Sequence, residues 1–214
     1  MDFYFFLSRL FWVNQKNLFL PTEKKMASED KKTLELLERL RKIDPNLFFF
    51  ITRSKNDNVV MYSANTEGGK LCTDDPVSVY WLDIDAEYVA RARAEGRDSD
   101  RVELGAFERR MAYGIETRAS PNKPGHFGAK LTAHRERTLT LYIDTSSSSN
   151  KHPQPRALIN IHPTGAAKPE SARLVRVHVE TNEGLLQFNS VTHVDFYAQS
   201  LTTGKLLHER IIPQ

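Results

Sequence analysis

LFFFITR-SKNDN-VVMYSA, residues 47–64, is the stretch whose reading decides the fold class. Two runs of aromatic and β-branched residues, Leu47–Arg53 and Val59–Ala64, flank five polar residues, Ser54–Asn58. Asn and Asp tolerate positive φ and hydrogen-bond their own backbone, so this pattern predicts two antiparallel strands closed by a turn. Working outward, VSVYWLDI (Val77–Ile84) is a further strand opened by Pro76. Its alternation puts Val77, Val79 and Trp81 on one side and Ser78, Tyr80 and Leu82 on the other. The same reading gives strands around Ile115–Arg118, Ala129–His134, Thr138–Asp144, Ala157–His162, Leu174–Thr181, Val191–Gln199 and Lys205–Ile212. Thr203-Gly204 turns the last pair, and the Ser- and Pro-rich Ser146–Pro155 is a loop. About ten short strands, two helical stretches, no βα alternation and no internal repeat predict a mainly β protein, α+β at most. The architecture expected is an antiparallel β-sandwich or a closed β-barrel.

Two segments break the strand pattern. From a cap at Ser28 or Asp30 to about Ile43, the positions of Leu34, Leu37 and Ile43, with Leu36 and Leu40 beside them, predict a helix with one apolar face. Asp44-Pro45 stops it, and Arg39, Arg41 and Lys42 in its last turn suit the helix dipole. The second, Ala86–Gly114, is helical in character, with Leu104, Phe107, Met111 and Ala112 as its buried stripe and Gly114 at its end. Between Arg91 and Arg110 six arginines meet five acids, a mixed-charge solvated surface rather than a basic patch.

The chain has 214 residues, enough for one domain that buries a sizeable core without staples. Its one cysteine, Cys72, excludes an internal disulfide framework and any multi-cysteine zinc site. That suits an intracellular, cytoplasmic protein. Residues 1–25 differ in composition from everything after them and read as an extension. Asp2 and Arg9 spoil a secretory signal, and Arg9, Asn14, Gln15 and Lys16 interrupt any membrane span. MASEDKKTLELLERL, from Met26, reads as a natural beginning, so residues 26–214 are taken as a single β-rich domain. Organelle targeting and a membrane-surface role both rest wholly on residues 1–25.

The net charge is +3, but Arg118–Arg176 holds ten Lys/Arg against three acids. Such a stretch suits a nucleic-acid surface, with Phe127 and Tyr142 available for stacking, or merely the solvated faces of strands. No GxSxG, P-loop or GxGxxG occurs, and the seven histidines never form HxH or HExxH. His134, His162, His178 and His193 all fall in predicted strands. Gly125-His126-Phe127-Gly128 is a turn, or a loop presenting backbone N–H groups to an anion. Asp83 and Asp85, at i and i+2, project from one strand face as weak candidates for acid/base work or a hard cation. No metal site and no cofactor is expected.

Three stretches in order, FFITRSKNDNVVMYSAN, PVSVYWLDID and ELGAFERRMAYGIE, resemble the uncharacterised family called domain of unknown function 4833. The resemblance spans about Leu47–Ile212, implies a small single-domain protein, and supplies no reaction. The same stretches hold the best binding constellation: Arg53, Lys55 and Asn56 at the hairpin tip, Tyr80 and Trp81 in a strand, and Arg109, Arg110 and Tyr113 on a helix. Arginine forks beside aromatic faces suit phosphate, carboxylate or sugar ligands. The alternative for these residues is packing: Trp81 in the core, Tyr113 against the helix, the arginines paired with Glu108 or Asp85. The expectation is therefore a non-catalytic sandwich or barrel that binds a small anionic ligand or a protein partner. The rivals are an enzyme acting on a phosphorylated or carbohydrate substrate, and a nucleic-acid binder.

Overall fold

A computed structural model describes residues 23–54, 56–82, 101–145, 153–164, 166–182 and 190–212. The chain divides into two compact units, Met1–Leu36 and Leu37–Gln214. In the first, the described residues are helical, and exposed Lys31 and Glu35 pair one turn apart at 3.8 Å. This helix, α1, runs Glu23–Ile43. It starts upstream of Ser28 and Asp30, which are therefore interior positions and not caps. Leu37 and Leu40 are buried, whereas Ile43, expected on the same face, is 41% exposed. No described helix is long and apolar enough to cross a membrane.

The second unit is mainly β. Its hairpin is β1 (Leu47–Arg53) and β2 (Asn56–Ala64), with Phe50 opposite Met61 and Ile51 opposite Val60. A two-stranded ribbon, β3 (Thr66–Glu67) and β4 (Lys70–Leu71), turns at Gly68-Gly69, both at positive φ; nothing in the hydrophobic pattern marks it. Then come β5 (Val77–Leu82) and β6 (Arg101–Glu103). Arg101–Glu103 was expected to be helical; it pairs with β5 instead, Trp81 facing Val102. The helix that follows, α2 (Ala106–Glu108), continues into a π-helical turn, Arg109–Tyr113. Phe107, assigned to the buried stripe by spacing, is 75% exposed, because a single turn cannot bury the face that a long helix would. The remaining strands are β7 (Ile115–Ala119), β8 (Phe127–Leu131), β9 (His134–Asp144), β10 (Gln154–Ile161), β11 (Glu170–Asn182), β12 (Ser190–Ser200) and β13 (Leu206–Ile211).

Eleven of these strands form one sheet, ordered β6-β5-β2-β1-β11-β10-β9-β8-β7, with β12 and β13 added beyond β11. The sheet forks at β11. Glu170–Arg173 pairs with β10 and Arg176–Val179 with β1, while β12 takes β11 along Ala172–Asn182. A register shift between Leu174 and Arg176 marks the fork. β1 and β11 run parallel, so the sheet is mixed rather than purely antiparallel. Its ends, β6 and β7, do not pair with each other, so the sheet is a curled half-barrel and not a closed barrel.

Both wings of the fork turn their apolar residues inward, and one core joins them. Phe49, Tyr62 and Val79 come from one wing, and Leu131, Leu141 and Ile159 from the other. Phe49 and Tyr62 stack at 4.4 Å. On the outer face, Asp44 is buried and its carboxylate fixes the end of α1. Oδ1 accepts from the Asn46 N–H, and Oδ2 accepts from Ser63 Oγ at 2.6 Å and Tyr80 Oη at 2.5 Å. Arg101 lies 3.4 Å from the same oxygen, over the Tyr80 ring. The alternation read in β5 holds: Val77, Val79 and Trp81 join the inner core, while Tyr80 faces Asp44.

Candidate functional site

The inner face of the half-barrel holds a cavity of about 480 Å³. Its walls are largely aliphatic, with Ile51, Leu131, Val177, Val179, Val194 and Ile211 contributed by five strands. The polar groups along it are few: Arg53, Tyr113, His134, Glu136 and Thr181. Convergence of this kind is what a small-molecule site requires, an apolar body with sparse fixed polar groups.

Tyr113 is held from three sides. Its carbonyl accepts a 2.8 Å hydrogen bond from Tyr62 Oη, at the end of a π-helical turn, where main-chain carbonyls need outside donors. Trp81 meets its ring edge-on at 5.0 Å, and the Arg53 guanidinium lies 5.0 Å from its centroid. Trp81 is itself fixed by Glu108, whose Oε1 accepts from Nε1 at 3.1 Å while Oε2 accepts from the Gly105 N–H at 2.9 Å. The residue after Tyr113 must be glycine. A Cβ on Gly114 would sit 2.1 Å from the Arg109 carbonyl oxygen and 2.6 Å from Thr132 Oγ1. Its φ of −64° is ordinary, so close approach rather than backbone conformation excludes a side chain.

The Tyr113 hydroxyl is buried and has no hydrogen-bond partner among the described residues. Burial pushes its phenol up to about 12 against the lowering effect of Arg53, so it remains a neutral donor at physiological pH. Arg53 makes no ion pair among the described residues and rests over the Tyr113 ring. Across the cavity His134 Nδ1 lies 3.3 Å from Glu136 Oε1, and its ring meets Phe196 edge-on. Burial lowers the His134 pKa, and the hydrogen bond to Glu136 opposes that only in part, so the ring is held neutral.

The constellation read from the sequence is thus divided. Arg53 and Tyr113 line the cavity, and Trp81 backs the Tyr113 ring. Tyr80 is on the opposite face, bound to Asp44. Arg109 and Arg110 line a separate, more polar hollow of about 510 Å³ with Asp75, Glu116 and Arg135. There Arg109 Nε donates to the Leu104 carbonyl, and Arg135 pairs with Glu116 at 3.1 Å. Asn56 opens β2, while Lys55, Asp83 and Asp85 lie outside the described residues. His134 and Glu136 were missed as a pair, although they stand at i and i+2 in β9 and alternation alone puts both on one face.

The histidines in the strands take separate places. His178 Nδ1 accepts from Thr52 Oγ1 at 2.9 Å and from Arg176 Nη2 at 3.2 Å. His193 and His208 both reach Asp195, at 3.4 and 2.9 Å, and Arg210 grips the same carboxylate with two bonds of 2.7 and 2.8 Å. Burial alone would raise the Asp195 carboxyl, but the bonds from Arg210 and His208 outweigh it and hold it well below the carboxylate range. No group of three or more His, Cys, Asp or Glu side chains is placed to hold a metal ion among the described residues. Gly125 takes a positive φ in a simple turn, where the His126 ring stacks on Tyr142 at 4.8 Å and Phe127 enters the core.

No curated protein and no solved structure matches the chain. One family model does, over residues 49–210, and it includes both wings of the sheet and every residue lining the cavity except Ile211. The chain belongs to the family described as Domain of unknown function (DUF4833).

Proposed function

We propose that this protein binds a small, largely apolar molecule in the inner-face cavity and performs no chemistry on it. The observation that carries this reading is the aliphatic cavity of about 480 Å³ with its few polar groups. Its volume falls within the roughly 300–1,000 Å³ typical of small-molecule sites. The groups around it are arranged to hold rather than to react: Tyr113 is braced by Tyr62, Trp81 and Arg53, and His134 is neutral beside Glu136. A nucleic-acid role through Arg118–Arg176 gains little support. Arg135, Arg137 and Arg156 are paired with Glu116, Glu209 and Asp144, Arg173 and Arg176 are buried, and Phe127 is in the core.

The test is thermal denaturation of the full chain with uncharged medium-chain alcohols, beside a Val179→Phe variant that fills the cavity. A ligand at about a hundred times its dissociation constant should stabilise the wild type by roughly 2.7 kcal/mol. The filled variant should fold and show no such shift. Wild-type stability that no apolar compound changes, or a shift of equal size in Val179→Phe, would overturn the reading.

A further inference from the structure

We infer that the molecule bound in this cavity carries a carboxylate, seated at the Arg53–Tyr113 end, with its apolar body along β11 and β12. The inference rests on the cavity reading above and adds the ligand's chemical class. Two independent observations at one end of the cavity carry it. Arg53 lines the cavity and forms no ion pair among the described residues, whereas Arg101, Arg135, Arg137, Arg156 and Arg210 each have a carboxylate partner. Tyr113, 4% exposed, lines the same cavity with a buried hydroxyl that has no partner among the described residues. Leaving a buried donor unsatisfied is costly, and a ligand oxygen removes the cost. A guanidinium held flat by an aromatic face still offers its edge as a fork, which matches the two oxygens of a carboxylate. The anchor is fixed before any ligand arrives, since Trp81 and the Tyr62 bond hold Tyr113 while Tyr113 seats Arg53. Elsewhere along the cavity, Glu136 is largely exposed and tied to His134, and Thr181 is engaged with Ser54, so neither is paired with Arg53. The walls between are aliphatic, which excludes a multiply charged or sugar-like ligand and favours one head on an apolar tail.

The experiment compares dodecanoate, dodecanol, dodecylamine and dodecyl phosphate in titrations of the full chain, at neutral pH and two salt concentrations. Dodecanoate should bind at least about tenfold more tightly than dodecanol, as a charge-assisted hydrogen bond provides. Arg53→Met should erase that ratio, Arg53→Lys should keep part of it, and Tyr113→Phe should reduce it by a smaller factor. Equal affinity for acid and alcohol, or preference for the amine, would refute the carboxylate while leaving the cavity reading intact. Tighter binding of the phosphate would replace the carboxylate with a different head. Failure of all four to bind would remove both readings together.

Discussion

Thr52 and Arg53 are adjacent in β1 and face opposite sides of the sheet, and the groups they meet differ in how fully they are paired. On the outer side, Thr52 accepts from Arg176 Nε at 2.8 Å and donates to His178, and the next strands carry Asp195 with Arg210, His208 and His193. Every carboxylate oxygen of Asp195 is engaged. On the inner side, Arg53 rests on a ring and Tyr113 keeps a buried hydroxyl unbonded among the described residues. The same residue types therefore serve two ends. Where polar groups close upon one another they tie neighbouring strands together, and where they stay open beside an apolar cavity they are what the proposed ligand would engage.

The largest effect should come from breaking the closed side. Asp195→Ala leaves Arg210, His208 and His193 without the carboxylate they share, which is 3% exposed. Removing one partner of such a pair costs about 3–5 kcal/mol. Arg53→Met on the open side should cost under about 1 kcal/mol, the worth of an isolated cation–π contact. Chemical denaturation of the two variants checks the difference. Similar losses would mean that Arg53 is a structural residue and that the contrast between the faces is false.

A smaller effect is expected where the open side is positioned. In Gly114→Ala the new methyl must displace the Arg109 carbonyl or Thr132, at a cost of about 1–3 kcal/mol for overpacking. Because Tyr113 precedes it, the variant should also bind dodecanoate less well than its stability loss explains at a temperature where it is still folded. Loss of stability with unchanged affinity would show that the π-helical turn does not set the Tyr113 ring.

Much of the fold was legible, for reasons specific to particular residues. The Leu47–Ala64 hairpin and the sidedness of β5 follow from period-two alternation, which burial enforces. The mixed character of the sheet was not legible. Parallel pairing of β1 with β11 joins residues more than a hundred positions apart, and the fork depends on a register shift at Val175 that no pattern announces. The helical reading of Ala86–Gly114 failed at Arg101–Glu103, where charged residues at an exposed edge carry no period. Of the candidate site, Arg53, Trp81 and Tyr113 were grouped by chemistry, arginine beside aromatics, and the three do come into contact. Tyr80, grouped with them, lies on the other face against Asp44, where its own alternation in β5 already placed it. Asp195 escaped notice because a lone aspartate in a strand has no signature until His208 and Arg210 arrive from β13.

The smallest effect concerns pH and sets one histidine of each face against the other. Burial lowers the pKa of both His134, beside Glu136 and Arg137 in the cavity wall, and His178, beside Arg176, Glu180 and Asp195 outside. A histidine whose folded pKa is depressed takes its proton more readily in the unfolded chain. The stabilisation is therefore complete above the unfolded value of about 6.5 and is lost as pH falls through the folded value. Melting temperature should accordingly decline between pH 7.5 and 5, a window above that in which Asp195 titrates. His178→Gln should flatten the decline whether or not dodecanoate is present. His134→Gln should flatten it in the free protein, and bound ligand should alter the wild-type slope through His134 alone, because only that ring borders the cavity. A ligand that changes the slope equally in His134→Gln would show that occupancy is felt across the sheet, and the two faces would then be one coupled system.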